Sequence, residues 1–303
     1  MPHGSPKSVS APSDAPFLRT LGAHVAELDE RHARLELPYR DENANRNGSL
    51  HGGVVAALID VAAATLALHG VDPRRHERAS SIDFTVSYLA PAVREDVTAV
   101  ATLLRRGRDI TFVEVDVATA AGKRIARGLV AHRAGPVPGR PPAGRPDAPG
   151  SDAAARTRAV EDLAPEQLRA ARPSGSPFTA RIGVTSVRLG RGRAVSLLPL
   201  QDDVLADDGT VHEGALAALV DCAGGAAAWS IDGFNPHGRA ATVGMHLCFD
   251  VSTRGEDVLA EAKTSWASDG TYVSAVTVAG RSSGRAIASG TVTYRIAMRP
   301  RRA

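Results

Sequence analysis

The chain has 303 residues, of which 43% are hydrophobic, 23% charged and only 4% aromatic, and its formal charge is +3. This length and balance predict a soluble, globular protein with room for two domains, each burying its own core of Val, Leu, Ile and Ala. The positive excess is small, scattered and mostly Arg, which suits phosphate groups but excludes a dedicated nucleic-acid surface.

In chain order, residues 1–16 read as a disordered tail: they are rich in Ser, Pro and Ala and carry no apolar segment of a secretory signal. A first domain is expected over 17–134. It opens with a short strand at 33–37 and a polar loop at 41–50, followed by an apolar helix over Gly52–Leu68. The apolar run within that helix is interrupted by Asp60 and is too short to span a bilayer. Alternating apolar residues then predict strands at 81–89, 96–105, 110–119 and 125–133. The basic run Arg105-Arg106-Gly107-Arg108 is read as a solvated hairpin turn in preference to a phosphate-binding patch. Residues 135–175 are rich in Pro, Gly and Arg and read as a linker, with a helical turn or two at 164–171. A second domain is expected over 176–298, with a strand at 194–198, a loop at 201–211 and a helix at 214–229. Strands follow at 243–249, 257–265, 272–279 and 286–296. Cys222 and Cys248, in no metal-like spacing, read as reduced core thiols of a cytoplasmic protein.

The two domains are copies of one unit. Residues 51–60 read HGGVVAALID and residues 212–221 read HEGALAALVD, an offset of 161. Phe17 and Phe178, Gly22 and Gly183, Leu37-Pro38 and Leu198-Pro199, and Glu95-Asp96 and Glu256-Asp257 keep the same offset. With one residue of slippage, 122–133 matches 284–295. One long helix followed by a run of antiparallel strands predicts an α+β class. A helix that is apolar nearly all round must be buried, so the sheet is expected to wrap it.

Asn45-Arg46-Asn47-Gly48-Ser49-Leu50-His51-Gly52-Gly53, followed after six residues by Asp60, resembles the signature of hotdog-fold thioesterases of the phenylacetic-acid-degradation (PaaI-like) type. The stretch from Ser81 to Ala92 resembles the strand that follows the central helix in that family. The resemblance covers most of 17–133; the second copy is placed mainly through the repeat. It implies two hotdog domains fused in tandem as a pseudo-dimer, hydrolysis of acyl-CoA thioesters, and no metal or organic cofactor. Neither a nucleic acid nor a membrane is expected as partner. Further pairing into a homo-oligomer stays open.

Thioester hydrolysis makes an oxyanion, which backbone N–H groups at a helix N-terminus stabilise. Glycine there lets substrate approach the backbone. The thiolate leaving group has a pKa of about 8.5 and departs without a strong acid, so one carboxylate suffices. Asp60 and Asp221 are the candidates, as general base toward water or as nucleophile. The family's site lies between two units, one giving the loop and the other the helix acid. One expected site therefore joins Asn45, His51 and Gly52 to Asp221 and Thr242. The other joins Ala206, His212 and Glu213 to Asp60 and Ser81. Ser81, Thr242, Gly53, His212 and Glu213 are assigned to substrate contact, though the glycines also read as turn residues and the two His as loop anchors. Ala206 cannot replace the Asn45 amide, and a Glu213 carboxylate would oppose an oxyanion, so a single competent site using Asp221 is expected. Glu213 as a second acid is the alternative. Two other functions stay open: a hydroxyacyl-thioester dehydratase, disfavoured by a His-to-acid spacing of nine residues in both copies, and a non-catalytic acyl-CoA-binding module. The acyl group, and CoA against acyl-carrier protein, are not specified.

Overall fold

The computed structural model describes residues 16–71, 78–135, 175–206, 209–232, 239–250 and 255–297. The tail before residue 16, and the linker over 136–174 with its helical turn, lie outside the described residues. The first half runs α1 (Pro16–Leu21), β1 (His24–Leu28), β2 (His32–Leu37), a 3-10 turn (Asp41–Asn43), α2 (Gly52–Leu68), β3 (Arg78–Tyr88), β4 (Val97–Arg106), β5 (Ile110–Thr119) and β6 (Arg124–Gly135). The second half repeats it as α3 (Pro177–Arg181), β7 (Thr185–Gly190), β8 (Arg193–Leu198), a 3-10 turn (Asp202–Val204), α4 (Glu213–Asp232), β9 (Arg239–Phe249), β10 (Val258–Ser268), β11 (Thr271–Gly280) and β12 (Ala286–Ala297).

The twelve strands among the described residues form one antiparallel sheet in the order β1-β2-β4-β5-β6-β3-β9-β12-β11-β10-β8-β7. The order is the same from either edge once the repeat is applied. The halves meet at β3 and β9, paired from Asp83 opposite Cys248 to Ser87 opposite Gly244. The expected α+β class is borne out. Each central helix packs on the strands of its own half, α2 against β2 to β6 and α4 against β7 to β12, and meets the other helix along its remaining side, which is why its sequence has no polar stripe. In α2 only Gly52, Ala64 and Leu68 escape burial. Glu213–Ile231 of α4 is long and apolar enough to cross a membrane by composition, yet 72% of that window is buried inside the fold. It serves as a core helix.

The two helices touch each other through glycine. A Cβ on Gly53 would stand 2.8 Å from Cα and Cβ of Ala218, and one on Gly214 would stand 3.0 Å from Cβ of Ala57. The missing side chains let the helix starts approach closely.

Three readings need correction. The edge strands β1 and β7 were not expected, because neither buries a residue and so neither shows alternation. Arg106 is not a plain solvated turn residue: its guanidinium donates to Ala67 O at 2.8 Å and Leu66 O at 3.1 Å, capping the last carbonyls of α2. Arg105 and Arg108 are exposed. Cys248 is exposed rather than in the core, since Met245 and Leu247 take the inward positions of β9 and leave His246 and Cys248 outward; Cys222 is half-buried.

Candidate active site

The loops before the two central helices close in the same way. Ala44 bridges Leu50, and Leu205 bridges Val211. The His51 N–H donates to Asn43 O at 3.0 Å, and the His212 N–H to Val204 O at 2.9 Å. Each histidine thereby becomes the N-cap of its helix. His51 Nδ1 accepts from the Gly53 N–H at 3.0 Å, and His212 Nδ1 from the Gly214 N–H at 2.9 Å. The ring lone pair does the work usually done by a Ser or Asp oxygen. An accepting Nδ1 places the ring proton on Nε2 and leaves the imidazole neutral. Burial pushes His51 below its usual value, with Asp221 opposing that shift. Phe178 packs on the His51 ring at 5.2 Å and Phe17 on the His212 ring at 5.0 Å. Both phenylalanines come from the short helix that opens the opposite half.

The helix acid facing each histidine also belongs to the opposite half. Asp221 Oδ2 lies 3.7 Å from His51 Nδ1, and Asp60 Oδ2 lies 3.8 Å from His212 Nδ1. Neither contact is a hydrogen bond, because the distances are long and each Nδ1 is already used. Thr242 donates to Asp221 Oδ1 at 2.5 Å, and Ser81 donates to Asp60 Oδ1 at 2.5 Å. Ser81 and Thr242, assigned to substrate contact, thus spend their hydroxyls on holding the carboxylate of their own half. Oδ2 is left facing the other helix.

At the first loop, Gly52 lies directly against Asp221: a Cβ there would stand 3.0 Å from Oδ2. The N–H groups of Gly53, Val54 and Val55 all bond back to His51. The Gly52 N–H makes no hydrogen bond among the described residues. One unspent donor therefore sits at the positive end of α2, beside a carboxylate from the other half. Tyr88 donates to Gly52 O at 3.0 Å and anchors this first residue of the helix. Gly53, assigned to substrate contact, is instead buried at the helix crossing with its N–H occupied. The Asn45 amide donates to Ser49 Oγ at 3.3 Å and serves its own loop.

The second loop departs from this at each point. Glu213 occupies the place of Gly52, and its carboxylate, Asp60 and His212 offer atoms within 4.8 Å of one another. Phe249 stands where the first half has Tyr88 and has no hydroxyl. His132, opposite Ser81 in the sheet, stands where the second half has Tyr294, opposite Thr242. His132 Nδ1 is 3.4 Å from Ser81 Oγ, and its Nε2 has no partner among the described residues. Tyr294 Oη instead accepts from Trp229 Nε1 at 3.1 Å. Sequence reasoning missed Tyr88, His132 and Tyr294. For the last two, their matched positions near the ends of 122–133 and 284–295 were the available signal. A narrow crevice lined by Ser81, Val211, Glu213, Leu216, Phe249 and Ile287 opens beside the Ser81–Asp60 pair.

Burial raises Asp60 to about 6, against the lowering effect of its Ser81 hydrogen bond. Burial, helped by His212, lowers His132 to about 4. The signs oppose. A raised acid contributes stability that is complete below its unfolded value of about 3.8 and is lost as pH climbs through 6. A lowered histidine contributes stability that is complete above about 6.5 and is lost as pH falls through 4. Asp60→Asn removes only the first contribution. Its stability relative to wild type should therefore rise between pH 4 and pH 6.5, by on the order of 3 kcal/mol, and then level off. Urea midpoints at four pH values across that window check this; a constant difference would show that Asp60 titrates normally.

The family model described as a domain of unknown function (DUF4442) matches residues 7–132. The medium/long-chain acyl-CoA thioesterase YigI of Escherichia coli is 31% identical over 116 residues, which cover 34% of this chain and 74% of that protein. Two solved structures resemble the whole chain in fold. The tesB protein of Mycobacterium avium subs paratuberculosis aligns over 93% of this chain and 98% of its own, with a TM-score of 0.59 at 13% identity. A conserved protein with a hot dog fold from Alicyclobacillus acidocaldarius aligns over 95% and 98%, with a TM-score of 0.59 at 17% identity. One relative thus matches about a third of the chain, whereas both solved structures span the two halves.

Proposed function

We propose that this chain, which belongs to the hotdog-fold acyl-CoA thioesterase family, hydrolyses acyl-CoA at a composite site made from the first half's loop and the second half's Asp221. The observation that carries this is the unspent Gly52 N–H at the start of α2, set against a carboxylate that the other half supplies. The thioester carbonyl oxygen takes its developing charge toward that N–H and the helix dipole. Asp221 Oδ2 accepts the proton of an attacking water, or attacks the carbonyl itself to form an acyl-aspartyl anhydride that water then cleaves to the free acid, while Thr242 fixes Oδ1. The C–S bond breaks and CoA leaves as thiolate, whose low proton affinity removes the need for an acid. His51 keeps the loop in place as helix cap, and its neutral ring adds no charge beside Asp221.

Glu213 at the second loop puts a carboxylate where the first loop leaves a bare N–H, which supports a single working site. Free-thiol release from a panel of short, medium, long and aryl acyl-CoAs tests the function. Saturable hydrolysis of at least one class is expected. Tight acyl-CoA binding with no thiol release across the panel would replace this reading with a binding module. Reversible dehydration of a 3-hydroxyacyl-CoA would replace it with a lyase.

A further inference from the structure

The seam between the halves carries a second cluster of donors, on the opposite side of the sheet from the helices. His246 and Cys248 are two residues apart on β9 and face outward together. Asp83, on β3, is the cross-strand partner of Cys248. His246 Nε2 lies 2.8 Å from Asp83 Oδ2, Cys248 Sγ lies 3.6 Å from the same oxygen, and Sγ lies 4.0 Å from His246 Nε2. One nitrogen, one sulfur and one oxygen thus converge on a single point, each from a different side chain and from both halves of the chain.

A nucleophile triad does not fit this arrangement. Such a triad places the acid on one ring nitrogen of the histidine and the thiol on the other, whereas here both neighbours meet Nε2. A tetrahedral zinc ion bound at about 2.3 Å by sulfur and about 2.0–2.2 Å by nitrogen and oxygen needs its donors roughly 3.4–3.6 Å apart. The three observed separations bracket that value. A thiolate, an imidazole and a carboxylate together suit a borderline-soft divalent ion over magnesium or calcium. The side chains of His246 and Asp83 are 46% and 45% exposed, so an ion can enter from solvent and keep water as its fourth ligand.

We propose that Asp83, His246 and Cys248 form a zinc-class divalent metal site that clips β3 of the first half to β9 of the second. The site lies outside the catalytic machinery and needs no substrate. Binding takes Cys248 as thiolate, its proton passing to solvent.

Calorimetric titration of the metal-stripped full chain with Zn2+ alone tests the proposal, alongside Co2+ titration followed by the thiolate-to-cobalt absorption band. One equivalent should bind, with the cobalt band present and the melting temperature raised. Cys248→Ser should abolish the band and weaken Zn2+ binding by at least tenfold, and His246→Ala should weaken it likewise. Both side chains are outward, so each variant's unchanged melting temperature without metal serves as the folding control. Asp60→Asn should leave the titration unchanged. Absence of saturable binding overturns the proposal. So does binding that survives Cys248→Ser and is lost in Asp60→Asn, which would move the ion to the Asp60, His212 and Glu213 group.

Discussion

Asp221→Asn is expected to lower kcat/KM for acyl-CoA hydrolysis by roughly 10²–10⁴, about 3–5 kcal/mol of transition-state stabilisation. Asp60→Asn is expected to leave it nearly unchanged. The amide has the shape of the carboxylate and can still accept from Thr242, so the loss reports the missing base and not a collapsed loop. The two acids sit in equivalent places, each 3.7–3.8 Å from a capping histidine and each held by a hydroxyl of its own half. What separates them is the helix start they face. Asp221 meets a bare glycine whose carbonyl is anchored by Tyr88. Asp60 meets Glu213, whose own carboxylate opposes charge developing on a carbonyl oxygen at that helix start. Steady-state thiol release from both variants decides the matter. A larger loss in Asp60→Asn would reverse the assignment, and equal losses would mean that Glu213 does not silence the second site.

The repeat carried most of this fold into view. An interval of 161 residues between His51 and His212 fixes two equal units, and their all-round apolar helices demand a sheet on each. The loops were legible for the same reason: glycine, histidine and the helix acid recur in order, and the differences at Ala206 and Glu213 stand out against the first copy. Geometry between chain-distant groups was not legible. Nothing in the spacing of Phe17 or Phe178 says that each ring lies on the other half's histidine. Ser81 and Thr242 read as substrate contacts only through the family resemblance of Ser81 and the repeat that pairs it with Thr242, and in the fold each hydroxyl donates to the acid of its own half. Cys248 was misplaced because a lone thiol in an apolar strand fits either face until the register is known.

Substituting the two glycines that open α2 should separate chemistry from packing. Gly53→Ala would place a Cβ 2.8 Å from the Cα of Ala218, a backbone atom of the opposing helix. On an exposed helix the same change would stabilise by about 1 kcal/mol. Here overpacking should outweigh that gain, costing about 1–3 kcal/mol and lowering the melting temperature by roughly 2–4 °C for each kcal/mol. Gly53→Val should cost more. Gly52→Ala meets a different neighbour, the Asp221 carboxylate at 3.0 Å, which can turn aside. The second half already carries a full side chain at the equivalent position, Glu213, so the fold accepts one there. Gly52→Ala should therefore melt close to wild type while kcat/KM falls roughly ten- to hundredfold, as the carboxylate is pushed off its line to the carbonyl. Thermal melts and thiol-release kinetics on the same three proteins read both effects. If Gly52→Ala loses stability but keeps full turnover, the helix start serves only the scaffold, and the oxyanion must be bound elsewhere.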